Sequence, residues 1–322
     1  MQLNPKIYQP DVEQKPNRMG FGEGLLVAGD ENPDVVALCC DLKESTRVDL
    51  FASKYPNRYV ELGAAEQNMA GVAAGLAITG KIPFITSYAT FSPGRNWDQI
   101  RVSICYSNNN VKIVGSHSGI SVGPDGATHQ ALEDIAITRV LPNLVVIAPC
   151  DAIEAKKATI ASAKYKGPVY IRLAREKTPI ITTEDTPFEI GKSQVFREGN
   201  AITVVATGTL VYDALIAAEE LMRERAIAVE VINCPTIKPL DGQTILKSVK
   251  KTGALITVEE HQIDGGFGSA VCEFISETHP VKVKRIGMPN SFGESGQPRE
   301  LLEKYGMSKN HIKNAIREMI AQ

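Results

Sequence analysis

From residue 17 to residue 175, short aliphatic and β-branched runs alternate with stretches of helical period. That alternation limits the chain to a mostly parallel sheet covered by helices. Strands are expected at residues 35–40, 82–86, 111–116, 144–148 and 169–173. Residues 65–79 are rich in alanine and place Met69, Val72 and Leu76 at helical spacing. Asp151 followed by Glu154 forms an N-cap pair that opens a helix over 152–164. Residues 176–192 (EKTPIITTEDTPFEIGK) carry two prolines and no helical period, which predicts a linker crossing the surface. Beyond it, strands are expected at 201–206, 229–234, 254–258 and 281–286, and helices near 212–224, 242–250 and 266–277. Leu215, Ala218 and Met222 give the first of these helices an apolar face, and Ser308 is placed to cap a last helix running to residue 320. The expectation is a two-domain α/β fold with mostly parallel sheets flanked by helices. It divides into an extension at 1–16, a first domain at 17–190 and a second at 191–322.

Composition narrows the function classes. With 322 residues, 43% hydrophobic and 22% charged, the chain has apolar material for two cores and is neither disordered nor fibrous in character. A net charge of -2 gives no electrostatic reason to expect nucleic acid or an anionic membrane as partner. The six cysteines lie mostly in or beside apolar segments without C-x-x-C or Cys/His spacing, which argues against zinc and against a disulfide scaffold. No stretch reaches membrane-spanning length, and the N-terminus lacks an apolar export segment. A cytoplasmic chain with no metal site of its own is expected.

Two constellations carry candidate chemistry. In residues 61–75 (ELGAAEQNMAGVAAG), Glu66 opens a helix otherwise made of small and apolar residues. Glycine and alanine let a flat ring approach the backbone closely. A carboxyl in an apolar setting is driven toward its protonated form, which suits it to share a proton with a ring nitrogen. The plainer alternative is a carboxylate stabilised by the free amides of a helix N-terminus. In residues 115–133 (GSHSGISVGPDGATHQALE), a strand end leads into a loop with four glycines and two of the five histidines. Open α/β sheets place ligands at such strand ends, so His117, Asp125 and His129 form a candidate site. Between the two lie residues 87–101 (SYATFSPGRNWDQIR), with Tyr88, Phe91, Arg95 and the single tryptophan, Trp97. Phe91 suits stacking on a heteroaromatic ring, worth about 0.5–1.5 kcal/mol beyond area burial; Trp97 is read as core packing. There is no H-E-x-x-H, aspartate-rich calcium loop or Walker lysine.

Several of these strings together resemble the C-terminal two-thirds of transketolases, over essentially the whole chain. They are GAAEQNMAGVAAG at 63–75, H-x(7)-D-G-x-T-H-Q at 117–130 and GGFGSAV at 265–271. S-Y-A-T-F at 87–91, then R-x-W-D-Q at 95–99, is similar to the related deoxyxylulose-phosphate synthase segment. The resemblance implies a thiamine diphosphate pyrimidine-binding domain at 17–190 and a transketolase C-terminal domain at 191–322. It gives Glu66 the hydrogen bond to the aminopyrimidine ring nitrogen and Phe91 the stacking role, with Tyr88 and Arg95 in the same cofactor pocket. It makes Glu66, His117 and His129 the catalytic set, matches Asp125 and His129 to positions that bind hydroxyls near the ketose carbonyl, and matches His117 to a residue at the sugar-phosphate end. Arg175, with Arg172 as its competitor, matches the arginine that grips the substrate phosphate, where a guanidinium fork suits the oxygens. Arg18 and Ser45 match further phosphate contacts.

Full-length relatives begin with a domain whose G-D-G motif, followed downstream by asparagine, binds the divalent cation and the diphosphate. The nearest string here, Asp264-Gly265-Gly266, lies in the other domain and lacks the asparagine. The resemblance therefore implies a split enzyme. A partner chain supplies that motif and holds Mg2+ or Ca2+, and the two chains assemble as a dimer of heterodimers. Together they move a two-carbon ketol unit from a ketose phosphate to an aldose phosphate. No residue after Phe91 matches the second and third stacking aromatics of full-length enzymes, and Gly119 and Pro124 stand where serine and glutamate are common, which leaves the sugar pair open. The competing expectations are a deoxyxylulose-phosphate-synthase-like enzyme, a 2-oxo acid dehydrogenase beta-type component, and a non-catalytic subunit of the same fold.

Overall fold

The computed structural model describes residues 2–321. In chain order its strands are β1 (Gln14–Pro16), β2 (Val35–Cys39), β3 (Tyr59–Glu61), β4 (Ile82–Tyr88), β5 (Lys112–Ser116), β6 (Val145–Ile147) and β7 (Val169–Arg172). They continue as β8 (Lys177–Pro179), β9 (Gln194–Arg197), β10 (Ile202–Ala206), β11 (Val229–Asn233), β12 (Thr236–Lys238), β13 (Ala254–Gln262) and β14 (Lys282–Met288). The first sheet runs β12-β6-β7-β5-β4-β2-β3 and is parallel except for β12. The second runs β14-β13-β10-β11-β9 and is parallel except for β9. The two-domain, mostly parallel α/β architecture is the one expected.

Alternation of side chains across the pleat builds both faces of the first sheet from one strand. Val35 and Ala37 point to one side, where Phe21, Leu25, Ala155 and Ala158 cover them from the helices Asn17–Glu31 and Ala152–Lys164. Val36 and Leu38 point to the other, against Met69 and Ala70 of the helix Glu66–Ile78. That second core does not stop at the domain boundary: it continues into Val205, Ile232 and Phe267. β12 comes from the second half of the sequence, yet it pairs with β6 in the first sheet.

The helix Ala152–Lys164 starts as expected, with the Asp151 carboxylate accepting the Glu154 N–H at 2.8 Å. The last helix, Lys309–Ile320, also follows Ser308, but the serine hydroxyl bonds His311 Nδ1 at 3.0 Å instead of capping a backbone amide. The segment 176–192 departs from expectation, because it is not a surface linker throughout. β8 pairs antiparallel with β1, and Ile180, Ile181 and Thr182 are buried. The cause is Asp151, whose Oδ2 accepts the N–H groups of Ile181 and Thr182 at 2.7 and 2.6 Å. The N-terminal extension straps onto this segment: the Asn4 N–H donates to the Ile181 carbonyl, and Ile7 is buried in the second domain's core. Among the described residues, no helix is long and apolar enough to cross a membrane.

Candidate active site

Glu66 is the first residue of its helix and is buried, 3% exposed, at the edge of a cleft of about 480 Å³ lined by Ala64, Ala65, Glu66, Gln67, Asn68 and Arg95. Its setting is less apolar than its sequence neighbours imply. Ser87, near the carboxyl end of β4, donates to Glu66 Oε1 at 3.0 Å, and Arg95 Nη1 reaches Oε2 at 3.3 Å. The small residues of the helix divide between two tasks. Ala70, Ala73 and Ala74 pack on the sheet, whereas Gly71 and Gly75 face open space.

Next to Glu66, the Arg95 guanidinium lies 4.0 Å from the centre of the Phe91 ring. Phe91 stacks on Tyr88 at 6.0 Å, and Tyr88 stacks on His117 at 3.9 Å between ring centroids. His129 meets Phe91 edge-on at 5.5 Å. The two histidines and two aromatics therefore share one cluster at the carboxyl ends of β4 and β5. His117 is buried and holds a positive φ of 57°, an uncommon conformation for a non-glycine residue that marks a constrained position. Its Nδ1 bonds the Ser116 hydroxyl at 2.9 Å. Burial, together with the charges of Arg18 and Arg175, pushes its pKa down to about 3, so the imidazole is neutral at physiological pH. His129 Nδ1 pairs with the Thr128 hydroxyl at 2.9 Å.

Arg18, Ser45, Asp125 and Arg175 form the adjoining group. Arg175 Nη1 donates to the Val122 carbonyl at 2.7 Å and to Asp125 Oδ1 at 3.3 Å. Arg18 donates from Nε to the Arg175 carbonyl at 3.1 Å and from Nη1 to the Ser45 carbonyl at 2.6 Å. Ser45 thus meets Arg18 through its backbone. Burial and the nearby cations Arg47 and Arg175 lower the pKa of Arg18, and such crowding of like charge favours an anion between them. Arg172 takes no part in the group. It is buried in a pair with Asp134 at 2.8 Å and donates to the Glu260 carbonyl at 2.8 Å, so it joins the two domains in the interior.

Trp97 packs as expected, its Nε1 donating to the Ile137 carbonyl at 2.7 Å. Ser87 and Ser116 touch the candidate residues and were not singled out from sequence. Their only signal was their place at or next to the carboxyl end of a predicted strand.

Residues 13–180 match the family model described as transketolase, pyrimidine binding domain, and residues 191–312 match transketolase, C-terminal domain. The chain belongs to the transketolase family. It is 45% identical over 304 residues to the putative transketolase C-terminal section of Methanocaldococcus jannaschii, covering 94% of this chain and 95% of that protein. To the 6-deoxy-6-sulfo-D-fructose transketolase subunit SqwH of a Clostridium species it is 41% identical, covering 97% of each. The solved structure described as "Split gene transketolase, inactive beta4 tetramer" superposes with a TM-score of 0.89 at 43% identity, over 95% of this chain and 98% of that one.

Transketolases generally use thiamine diphosphate. The donor set of this transketolase-family chain suits the pyrimidine end of that cofactor. A buried carboxylate offers an acceptor at the cleft edge, and a flat aromatic face stands beside it with a 55% exposed arginine over it. For the divalent cation the fit is different: among the described residues, no three His, Cys, Asp or Glu side chains converge on a cation position.

Proposed function

We propose that this chain is the pyrimidine-binding half of a two-chain transketolase. A partner subunit supplies the diphosphate-binding half, and the pair transfers a two-carbon ketol unit from a ketose phosphate to an aldose phosphate. Residues 17–190 form the cofactor and substrate domain and 191–322 the C-terminal domain. The partner holds Mg2+ or Ca2+, the assembly is a dimer of heterodimers, and the enzyme works in the cytoplasm on sugar exchange of the pentose phosphate type. The observation that carries this reading is the line of contacts from Glu66 through Arg95, Phe91, His129, Tyr88 and His117, with the Arg18–Arg175 cluster adjoining.

Thiamine diphosphate, when bound, supplies the carbon nucleophile that the side chains lack. Glu66 would hold its pyrimidine nitrogen and share a proton with it, Phe91 would stack on the ring, and Tyr88 would line the pocket with Arg95 at its rim. His117, neutral and fixed by Ser116, hydrogen-bonds substrate hydroxyls as donor or acceptor without adding charge. His129 and Asp125 orient further hydroxyls and move protons, and Arg18, Arg175 and Ser45 take the phosphate. Correct placement of these groups contributes on the order of 7–11 kcal/mol to a reaction of this kind. Of the synthase-like segment 95–99, Trp97 serves packing and Arg95 reaches the site.

The test is ketol transfer from xylulose phosphate to ribose phosphate, with thiamine diphosphate and magnesium, by this chain alone and with a partner carrying the diphosphate-binding motif. Activity only in the mixture supports the proposal. Release of carbon dioxide from pyruvate by the mixture, without transfer between sugar phosphates, overturns it.

A further inference from the structure

β13 carries three consecutive ionisable residues, Glu259, Glu260 and His261, all buried. Glu259 has a local task, accepting the N–H groups of Phe267 and Gly268 at 2.6 and 2.7 Å at the start of the helix Phe267–Thr278. Glu260 bridges the two domains. Its Oε1 accepts the Ser121 N–H at 2.6 Å, and its Oε2 accepts the Thr209 hydroxyl at 3.2 Å. The approach is close enough that a Cβ at Gly119, itself at φ 80°, would collide with the Glu260 carboxylate. Only glycine fits there.

Ser121 lies in the loop that carries the substrate-facing groups. His117 is four residues before it and Asp125 four after, and the carbonyl of its neighbour Val122 holds Arg175 at 2.7 Å. A buried carboxylate that accepts a backbone N–H makes a charge-assisted bond, stronger than a neutral one. Removing it strands the Ser121 N–H without an acceptor.

We propose that Glu260, from the C-terminal domain, is a positioning residue for the sugar-phosphate loop: it fixes Ser121, and through Val122 it sets where Arg175 and Asp125 stand. This rests on the reading of that loop as the sugar-phosphate site. It gives the C-terminal domain an indirect part in substrate binding, acting on the loop and never on the substrate itself.

The experiment compares Glu260→Ala, Glu260→Gln and Thr209→Val in two readouts. The first is amide hydrogen exchange of residues 119–126 in the isolated chain, which needs neither partner nor activity. Glu260→Ala is expected to speed exchange there by about tenfold, the size of one lost buried hydrogen bond, while β2 and β5 keep their protection. Glu260→Gln, which retains one acceptor oxygen, is expected to restore most of it, and Thr209→Val to fall between the two. The second readout is the reconstituted enzyme, in which Glu260→Ala raises the KM for the phosphorylated donor by about tenfold with kcat changed much less. Unchanged loop exchange in folded Glu260→Ala, or a glutamine variant no better than alanine, overturns the proposal, as does an exchange rise spread evenly over the chain. Fast loop exchange together with an unchanged KM leaves the carboxylate's hold on the loop standing and instead contradicts the assignment of the loop to sugar phosphate.

Discussion

Arg95 Nη1 lies 3.3 Å from Glu66 Oε2 while the same guanidinium covers the Phe91 ring at 4.0 Å. One half-exposed side chain therefore occupies both the acceptor and the stacking face that a pyrimidine ring requires. On the proposed reading, ring and guanidinium compete for the position, and Arg95 turns toward the cleft rim when the cofactor enters. Arg95→Ala is expected to lower the Kd for thiamine diphosphate in the assembled enzyme by about fivefold. That is roughly the 1 kcal/mol of a solvent-screened ion pair and a cation–π contact. Quenching of intrinsic fluorescence measures it; a raised Kd would show that Arg95 grips the cofactor instead.

Arg175 joins Val122 and Asp125 in one set of bonds and adjoins Arg18. Arg175→Ala is expected to raise the KM for phosphorylated donors by about tenfold or more while leaving unphosphorylated donors nearly unaffected. Steady-state kinetics with both donor types decides the matter. An equal effect on the two would assign Arg175 to holding the loop alone.

The Arg172–Asp134 pair is interior, with Tyr170 also donating to Asp134 Oδ2 at 2.8 Å. Arg172→Met leaves a buried carboxylate without its cation, which costs about 3–5 kcal/mol in comparable pairs. Urea unfolding is expected to show a loss of that size, and a loss below about 1 kcal/mol would mean that water relieves the carboxylate.

Between the domains, Glu154 accepts from Asn233 Nδ2 and from the Cys150 N–H, both at 2.7 Å. Burial, with Asp151 adding to it, pushes the Glu154 pKa up to about 7. The folded chain thus holds this proton more tightly than the unfolded chain. The contribution is full below the usual carboxylate range and is lost as pH rises through about 7, a change of order 3 kcal/mol. Glu154→Gln is expected to remove that part of the fall in stability between the usual carboxylate range and about pH 7, seen as a flatter dependence of Tm on pH. An identical slope in both proteins would place the titration elsewhere.

What the sequence made legible follows from how local each signal is. The central strands of both sheets are visible because apolar runs dominate them, whereas the short edge strands β3, β9 and β12 are not, and the His117 loop stands out by its glycines. The helix Asn17–Glu31 was not foreseen, since Gly20 and Gly24 break its apolar period. Those glycines let it pack backbone against backbone, and a Cβ at either would strike Ala152 or Lys156 of the neighbouring helix. β12 is three residues long and pairs with a strand about ninety residues earlier, a register that no local pattern encodes. At the site, the grouping of Glu66 with Phe91 and the histidines was legible, but the partners Ser87, Ser116 and Glu260 were not. The expected strand at 254–258 runs on to Gln262, and its extension buries three ionisable residues whose partners come from both domains, a pairing no local pattern encodes.

The most direct measurement pairs cofactor binding with transfer in the assembled enzyme carrying Glu66→Gln. The amide keeps the shape of the carboxyl but cannot exchange a proton with the ring nitrogen. The predicted result is unchanged circular dichroism and intact assembly, with ketol transfer lowered by about 10²–10⁴-fold. Full turnover in that variant would contradict the account, because Glu66 would then not be the group that handles the proton.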